Sequence, residues 1–316
     1  MQKLALDEEI LMQVEQPARY IGGEINSVKK DPDQVKIRFA MCFPDVYEIG
    51  MSHLGIQILY SMFNRREDVY CERVFSPWTD LDRILREKKI PLFTLESQRP
   101  VKECDFLGIT LQYEMCYTNI LQVLELSQIP LRAADRRDGD PIVIGGGPCT
   151  YNPEPIAPFF DLFYMGEGEV VYDELLDLYR EHKEAGGDRA SFLKKVASLP
   201  GIYVPAFYEP EYHEDGTLAA FKPLCPEAPA KVRRLVMSVL DRADFIDNPL
   251  VPFIRVTQDR SMLELMRGCI RGCRFCQAGN VYRPQREHSV EYLKRYAEKL
   301  LKITGNEEIS LSSLSS

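Results

Sequence analysis

The sequence has no excess of positive charge, no leader-like start, no membrane-length apolar run and no internal repeat. Lys and Arg number 39 against 48 Asp and Glu, a net charge of −9. That balance excludes a surface built throughout to hold nucleic acid or anionic membrane, although nucleic acid at a local basic groove is not excluded. The opening MQKLALDEEILMQVEQPARY lacks the basic, apolar and small-residue regions of a secretory signal. No run approaches a membrane span, so the expected setting is the cytoplasm, with no membrane partner. Low-complexity tracts are missing too. With 45% apolar residues, the chain is expected to fold into about two globular domains. In the cytoplasm its nine cysteines should stay reduced, as core thiols or metal ligands.

What is present is alternation. Residues 3–14 suggest a short amphipathic helix within a lead-in, 1–34. From Val35, apolar bursts at 35–43, 68–75, 104–111, 141–146 and 161–166 predict strands. Helical patterns at 54–64, 79–89, 115–126 and 169–183 lie between them. This predicts an α/β fold, doubly wound and Rossmann-like, over 35–184. Its parallel sheet is covered on both faces, with the ligand crevice at the carboxyl ends of the strands. Residues 185–260 read as a linker with a hairpin over 201–224, turning near Asp215-Gly216. A second unit spans 261–316. MLELM (262–266) is its first strand, Ser289 caps the helix that starts at Val290, Gly305 lies past its end, and another strand starts at Glu308. The chain stops inside that apolar strand, so we expect this unit to be truncated.

Between MLELM and that helix lies RGCIRGCRFCQAG, with Cys269, Cys273 and Cys276 spaced C-x3-C-x2-C. Three thiolates so close can grip three irons of a cubane cluster and leave the fourth open to a substrate. An electron carrier usually closes all four positions. Gly268 and Gly272 let the backbone turn around the core. Zinc is the competing metal and needs a fourth ligand, for which Cys225 or His288 can be proposed. Three structural thiols are the blandest alternative. Arg267, Arg271, Arg274, Arg283 and Arg286 make the loop basic. They either offset anionic groups there or form a solvated face.

The triplet resembles the signature of the radical S-adenosylmethionine (SAM) superfamily. Phe275 matches its usual aromatic residue before the last cysteine and is assigned with the cofactor site. The resemblance implies a 4Fe-4S cluster on the three cysteines, with SAM chelating the open iron. SAM is then cleaved to methionine and a 5′-deoxyadenosyl radical that acts on a substrate. It also implies an external electron donor such as flavodoxin or ferredoxin, and makes 261–316 the start of a (β/α) barrel. Part of the SAM amine contact usually lies near the position of Ser312, Ser313 and Ser315.

In the first domain, FPDVYEIGMSHLG carries Asp45-x-Tyr47-x-x-Gly50, Thr110 ends a strand, and Gly145-Gly146-Gly147 follows another. These segments are similar to cobalamin-binding domains, whose D-x-H-x-x-G histidine is replaced here by Tyr47. Two outcomes stay open: a domain that binds cobalamin without a protein ligand below cobalt, or a degenerate one that positions the substrate. His53 reads as a surface or capping residue, and Trp78, Tyr113, Tyr117 and Tyr151 as core packing, with a crevice lining as the alternative. PARYIGGE (17–24), 43–60, 146–161, GEGE (166–169) and 272–284 resemble a group of bacterial radical SAM proteins with a cobalamin-domain-like N-terminal region. The expected function is therefore radical SAM catalysis on an unidentified substrate, with no residue assigned a catalytic role. The alternative is an iron–sulfur electron-transfer or structural metal-binding module.

Overall fold

The computed structural model describes residues 4–242 and 246–315. A single helical turn, α1 (Glu8–Leu11), precedes β1 (Ile37–Phe43), α2 (Tyr47–Gly50), α3 (Leu54–Arg65) and β2 (Val69–Phe75). Then follow α4 (Thr79–Lys88), β3 (Phe106–Thr110), α5 (Tyr117–Leu126) and β4 (Ile142–Gly146). The unit closes with β5 (Leu162–Tyr164), α6 (Tyr172–Glu184), α7 (Arg189–Ala197) and β6 (Ile202–Tyr203). The strands form one sheet in the order β2-β1-β3-β4-β5-β6, parallel except for β5 with β6. Order reverses between β1 and β3, which opens their carboxyl ends to a common edge.

All seven residues of β1 are buried, because both faces of the sheet are covered. Ala40 and Cys42 share one core with Leu81, Ile84 and Leu85 of α4 and Ile120, Val123 and Leu124 of α5. Ile37, Phe39, Met41 and Phe43 share the other with side chains of α3, α6 and α7. Each large apolar side chain so buried stabilises the fold by about 1.5–3 kcal/mol. The edge strand β2 carries Glu72 and Arg73 fully buried. Glu72 meets Arg38 at 3.0 Å on one side, and Arg73 meets Glu24 at 2.7 Å and Glu96 at 2.6 Å on the other. The Glu96 carboxylate also accepts the Arg73 backbone N–H at 2.6 Å, so the exposed rim of the sheet is blocked against further pairing.

Three expectations change. The helix expected over 3–14 shrinks to Glu8–Leu11, with Lys3 outside the described residues. Leu6, Ile10 and Val14 give the helical spacing, but they reach the sheet core from one turn and its flanks. The sheet unit runs past 184: Phe192, Val196 and Ala197 of α7 pack into its core, and β6 pairs with β5. The hairpin is correspondingly shorter than 201–224. It comprises β7 (Tyr208–Tyr212) and β8 (Leu218–Pro223), with Gly216 left-handed at its turn (φ +82°).

The second unit opens with β9 (Ser261–Glu264) and β10 (Met266–Arg267), then α8 (Ala278–Val281), β11 (Arg286–Glu287), α9 (Val290–Thr304) and β12 (Ile309–Ser312). The strand expected from Glu308 is β12, parallel to β9; Ser316 lies outside the described residues. The Ser289 hydroxyl accepts the Tyr292 N–H at 3.2 Å, and Gly305 ends α9 left-handed at φ +72°. Leu263, Tyr292, Tyr296 and Leu300 form a small core that packs on Leu54 and Ile58 of α3. Among the described residues no helix is long and apolar enough to cross a membrane.

Candidate functional site

The cysteine loop leaves β9 and is closed at its neck by two rungs, Met266 opposite Glu287 and Arg267 opposite Arg286. Gly268 takes φ +88°, and a Cβ there would lie 2.6 Å from the carbonyl oxygens of Tyr282 and Pro284. Only glycine fits that corner. Gly272 is also left-handed, at φ +65°. The Arg271 N–H points at Cys269 Sγ (3.4 Å), and the Cys276 N–H donates to the Cys273 carbonyl at 3.1 Å.

Exposure sorts the thiols. Cys42, Cys71, Cys104, Cys116 and Cys149 are buried, whereas Cys269, Cys273 and Cys276 reach solvent, as does Cys225. Burial raises the pKa of each buried thiol, that of Cys149 to about 11. Among the described residues no three His, Cys, Asp or Glu side chains are gathered closely enough to hold a metal ion. The donor set still fits a cluster in its chemistry: three accessible soft thiols on one loop turned at two glycines. Phe275 is 92% exposed beside them. His288, the histidine considered for zinc, is instead buried against Asp241 (3.0 Å) and stacked on Tyr292 (4.2 Å between rings).

The arginines divide. Arg267 and Arg286 do not form a solvated face, because both pair with glutamates of the chain itself. Arg267 pairs with Glu169 at 2.6 Å, Glu264 at 3.1 Å and Glu167 at 3.4 Å, and Arg286 pairs with Glu167 at 2.6 Å. Burial disfavours the charge on Arg267, but Glu169 and Glu264 outweigh it and raise the pKa. Arg271 and Arg274 are exposed, and Arg271 reaches the Ser315 hydroxyl at 3.2 Å.

The carboxyl edge of the sheet faces this loop. The Tyr151 hydroxyl, from the turn after β4, donates to the Val281 carbonyl of α8 at 2.9 Å. Thr110 ends β3 with its hydroxyl buried and without a hydrogen-bond partner. The three glycines after it do different things. A Cβ on Gly145 would strike Phe163, one on Gly147 (φ +110°) would meet the Leu111 backbone, and one on Gly146 would meet only the Tyr164 carbonyl oxygen, at 4.0 Å. The orphaned hydroxyl and the uncrowded backbone at Gly146 suit a ligand tail at this edge.

Tyr47 does not suit the place of a cobalt ligand. It is 2% exposed, and its hydroxyl donates to Glu24 at 2.9 Å. Burial raises its pKa, and Glu24 adds to the shift. Asp45 turns to the backbone N–H of Val46 (2.7 Å) and accepts the Tyr113 hydroxyl, whose pKa that carboxylate pushes up to about 12. Gly50 lets α2 lie on Phe75, whose ring is 2.2 Å from where a Cβ would be. His53 caps α3, its Nδ1 accepting the Ile56 N–H at 3.2 Å, and burial lowers its pKa to about 4. Trp78, Tyr113 and Tyr151 are 45, 38 and 50% exposed, so these aromatics are not core packing.

Residues 55–205 match the family described as radical SAM proteins, N-terminal. That segment holds Thr110 and the glycines but neither Asp45–Gly50 nor the three cysteines. The Methanocaldococcus jannaschii protein MJ0966, described as uncharacterized, is 25% identical over 281 residues, 86% of this chain and 48% of that protein. Among solved structures, the radical S-adenosylmethionine methyltransferase TsrM from Kitasatospora setae, with cobalamin and a 4Fe-4S cluster bound, aligns with a TM-score of 0.50. Identity is 13%, covering 88% of this chain and 49% of that one. The chain thus spans about half the length of each. The likeness to TsrM is one of fold: a mixed α/β unit whose six-stranded sheet is mainly parallel.

Proposed function

We propose that this chain is the N-terminal part of a radical SAM enzyme, in which a doubly wound domain carries the first turn of the catalytic barrel. The observation that carries the reading is the accessible C-x3-C-x2-C loop set directly after β10, in a chain whose other thiols are mostly buried. The family match over 55–205 supports it from separate residues. Cys269, Cys273 and Cys276 would hold a 4Fe-4S cluster, with Phe275 beside it. Reductive cleavage of SAM to methionine and a 5′-deoxyadenosyl radical is the chemistry such a cluster supplies when bound.

The chain's own contribution is positional. Gly268 and Gly272 turn the loop, Tyr151 holds α8 against the carboxyl edge, and the exposed Arg271 and Arg274 give the rim a positive charge suited to anionic groups. At that edge Thr110 and Gly145–Gly147 would hold a cobalamin tail, while the Tyr47 hydroxyl is engaged with Glu24. The proposed setting is the cytoplasm, where an external donor such as flavodoxin or ferredoxin supplies the electron.

Low-temperature electron paramagnetic resonance of the anaerobically reconstituted, dithionite-reduced full-length protein tests this. A cubane signal that shifts on adding SAM is expected. A cubane signal indifferent to SAM makes the cluster an electron carrier or a structural element, and zinc without iron overturns the reading.

A further inference from the structure

Arg267 and Arg286 face each other across the β10–β11 neck of the cysteine loop. Like charges directly opposite in a ladder repel, and these two strands have only two residues each. So short a ladder does not hold a long loop by itself. One carboxylate resolves both difficulties. Glu167 bonds Arg286 Nη1 at 2.6 and 2.8 Å and lies 3.4 Å from Arg267, while Glu169 and Glu264 complete the second guanidinium.

Glu167 is itself fixed. It follows Gly166 at the end of β5, whose φ of +118° lets its backbone lie against Leu235; a Cβ there would be 2.2 Å from the Leu235 carbonyl oxygen. The Met237 N–H donates to the Glu167 carboxylate at 2.8 Å, and the Met237 carbonyl accepts from Arg286 at 2.9 Å. The sheet domain, the linker at Met237 and the cysteine loop meet at this one side chain.

We propose that Glu167 is a positioning residue for the cysteine loop, holding the neck shut through Arg267 and Arg286 so that Cys269, Cys273 and Cys276 act as one donor set. The inference rests on the reading that these thiols hold an iron–sulfur cluster. Glu167→Gln keeps the side chain's shape and removes its charge; Glu167→Asp restores the charge one methylene short.

Two readouts in the full-length protein decide the matter. The first is hydrogen–deuterium exchange over 265–288 in metal-free protein. The second is iron retained against a chelator after anaerobic reconstitution. Glu167→Gln is expected to lose exchange protection at the neck and to retain iron about tenfold less well, with Glu167→Asp recovering part of both. If neck exchange and iron retention match those of the wild type, the proposal is overturned. A fall in the global unfolding midpoint with no selective change at the neck also overturns it, since that is a structural role alone. A wild type that takes up no iron sinks the cluster reading, and with it the donor-set role, whatever the neck exchange shows.

Discussion

Arg73 carries its charge in the sheet domain with no exposure to solvent, between Glu24 and Glu96 and with the Tyr60 ring 5.5 Å away. Burial works against both carboxylates. Arg73 nonetheless holds Glu24 below its ordinary pKa, whereas burial prevails at Glu96 and pushes it up to about 7. Removing the cation would strand two buried carboxylates, so Arg73→Met is expected to cost about 3–5 kcal/mol in urea unfolding. His53 gives a separate test by pH. Its pKa falls from 6.5 to about 4 on folding, so the unfolded chain binds more protons between those values. That contribution is present above pH 6.5 and is lost as pH falls toward about 4. His53→Asn keeps a helix-capping side chain without the titration, and the loss of stability over that window should flatten. These buried charges were legible only in part. DVYCERVF reads as a strand, but its Glu and Arg look like solvated residues until partners as remote as Glu24 and Glu96 are in place.

At the scale of elements, the parallel strands were legible as apolar bursts, continuous because both faces are buried, and the longer helices by their repeated period. The short elements were not. β6 has two residues and is defined by its pairing with β5, which no local pattern announces. α7 begins at an Asp188 cap whose carboxylate accepts the Ser191 N–H at 2.8 Å, a signal present in GGDRAS but outweighed by the change of texture there. The glycines of the second unit separate two kinds of turn. Gly305 is left-handed with nothing within 4 Å of an added Cβ, so Gly305→Ala costs backbone strain alone, about 1 kcal/mol. Gly268 has the same strain and also meets backbone oxygens at 2.6 Å. Gly268→Ala is therefore expected to destabilise more than Gly305→Ala in thermal unfolding and, unlike it, to lower iron uptake. Equal effects of the two on iron would show that the corner at Gly268 does not shape the loop.

For the whole molecule, the cysteine loop was found from spacing alone, while the residues that hold it were not. A basic cluster looks the same in a sequence whether it faces water or three glutamates. GEGE stood out as a segment, and its two carboxylates opposite an arginine-rich loop were the available clue. Their pairing spans 119 residues between Glu167 and Arg286. That distance has a consequence in time. On the ribosome, domains fold as units from the N-terminal end, so Glu167 is anchored beside β5 before the last rung of the neck has been made. The three loop thiols emerge after it, onto a support already built, and the loop that would receive iron takes its shape only after the sheet that holds it.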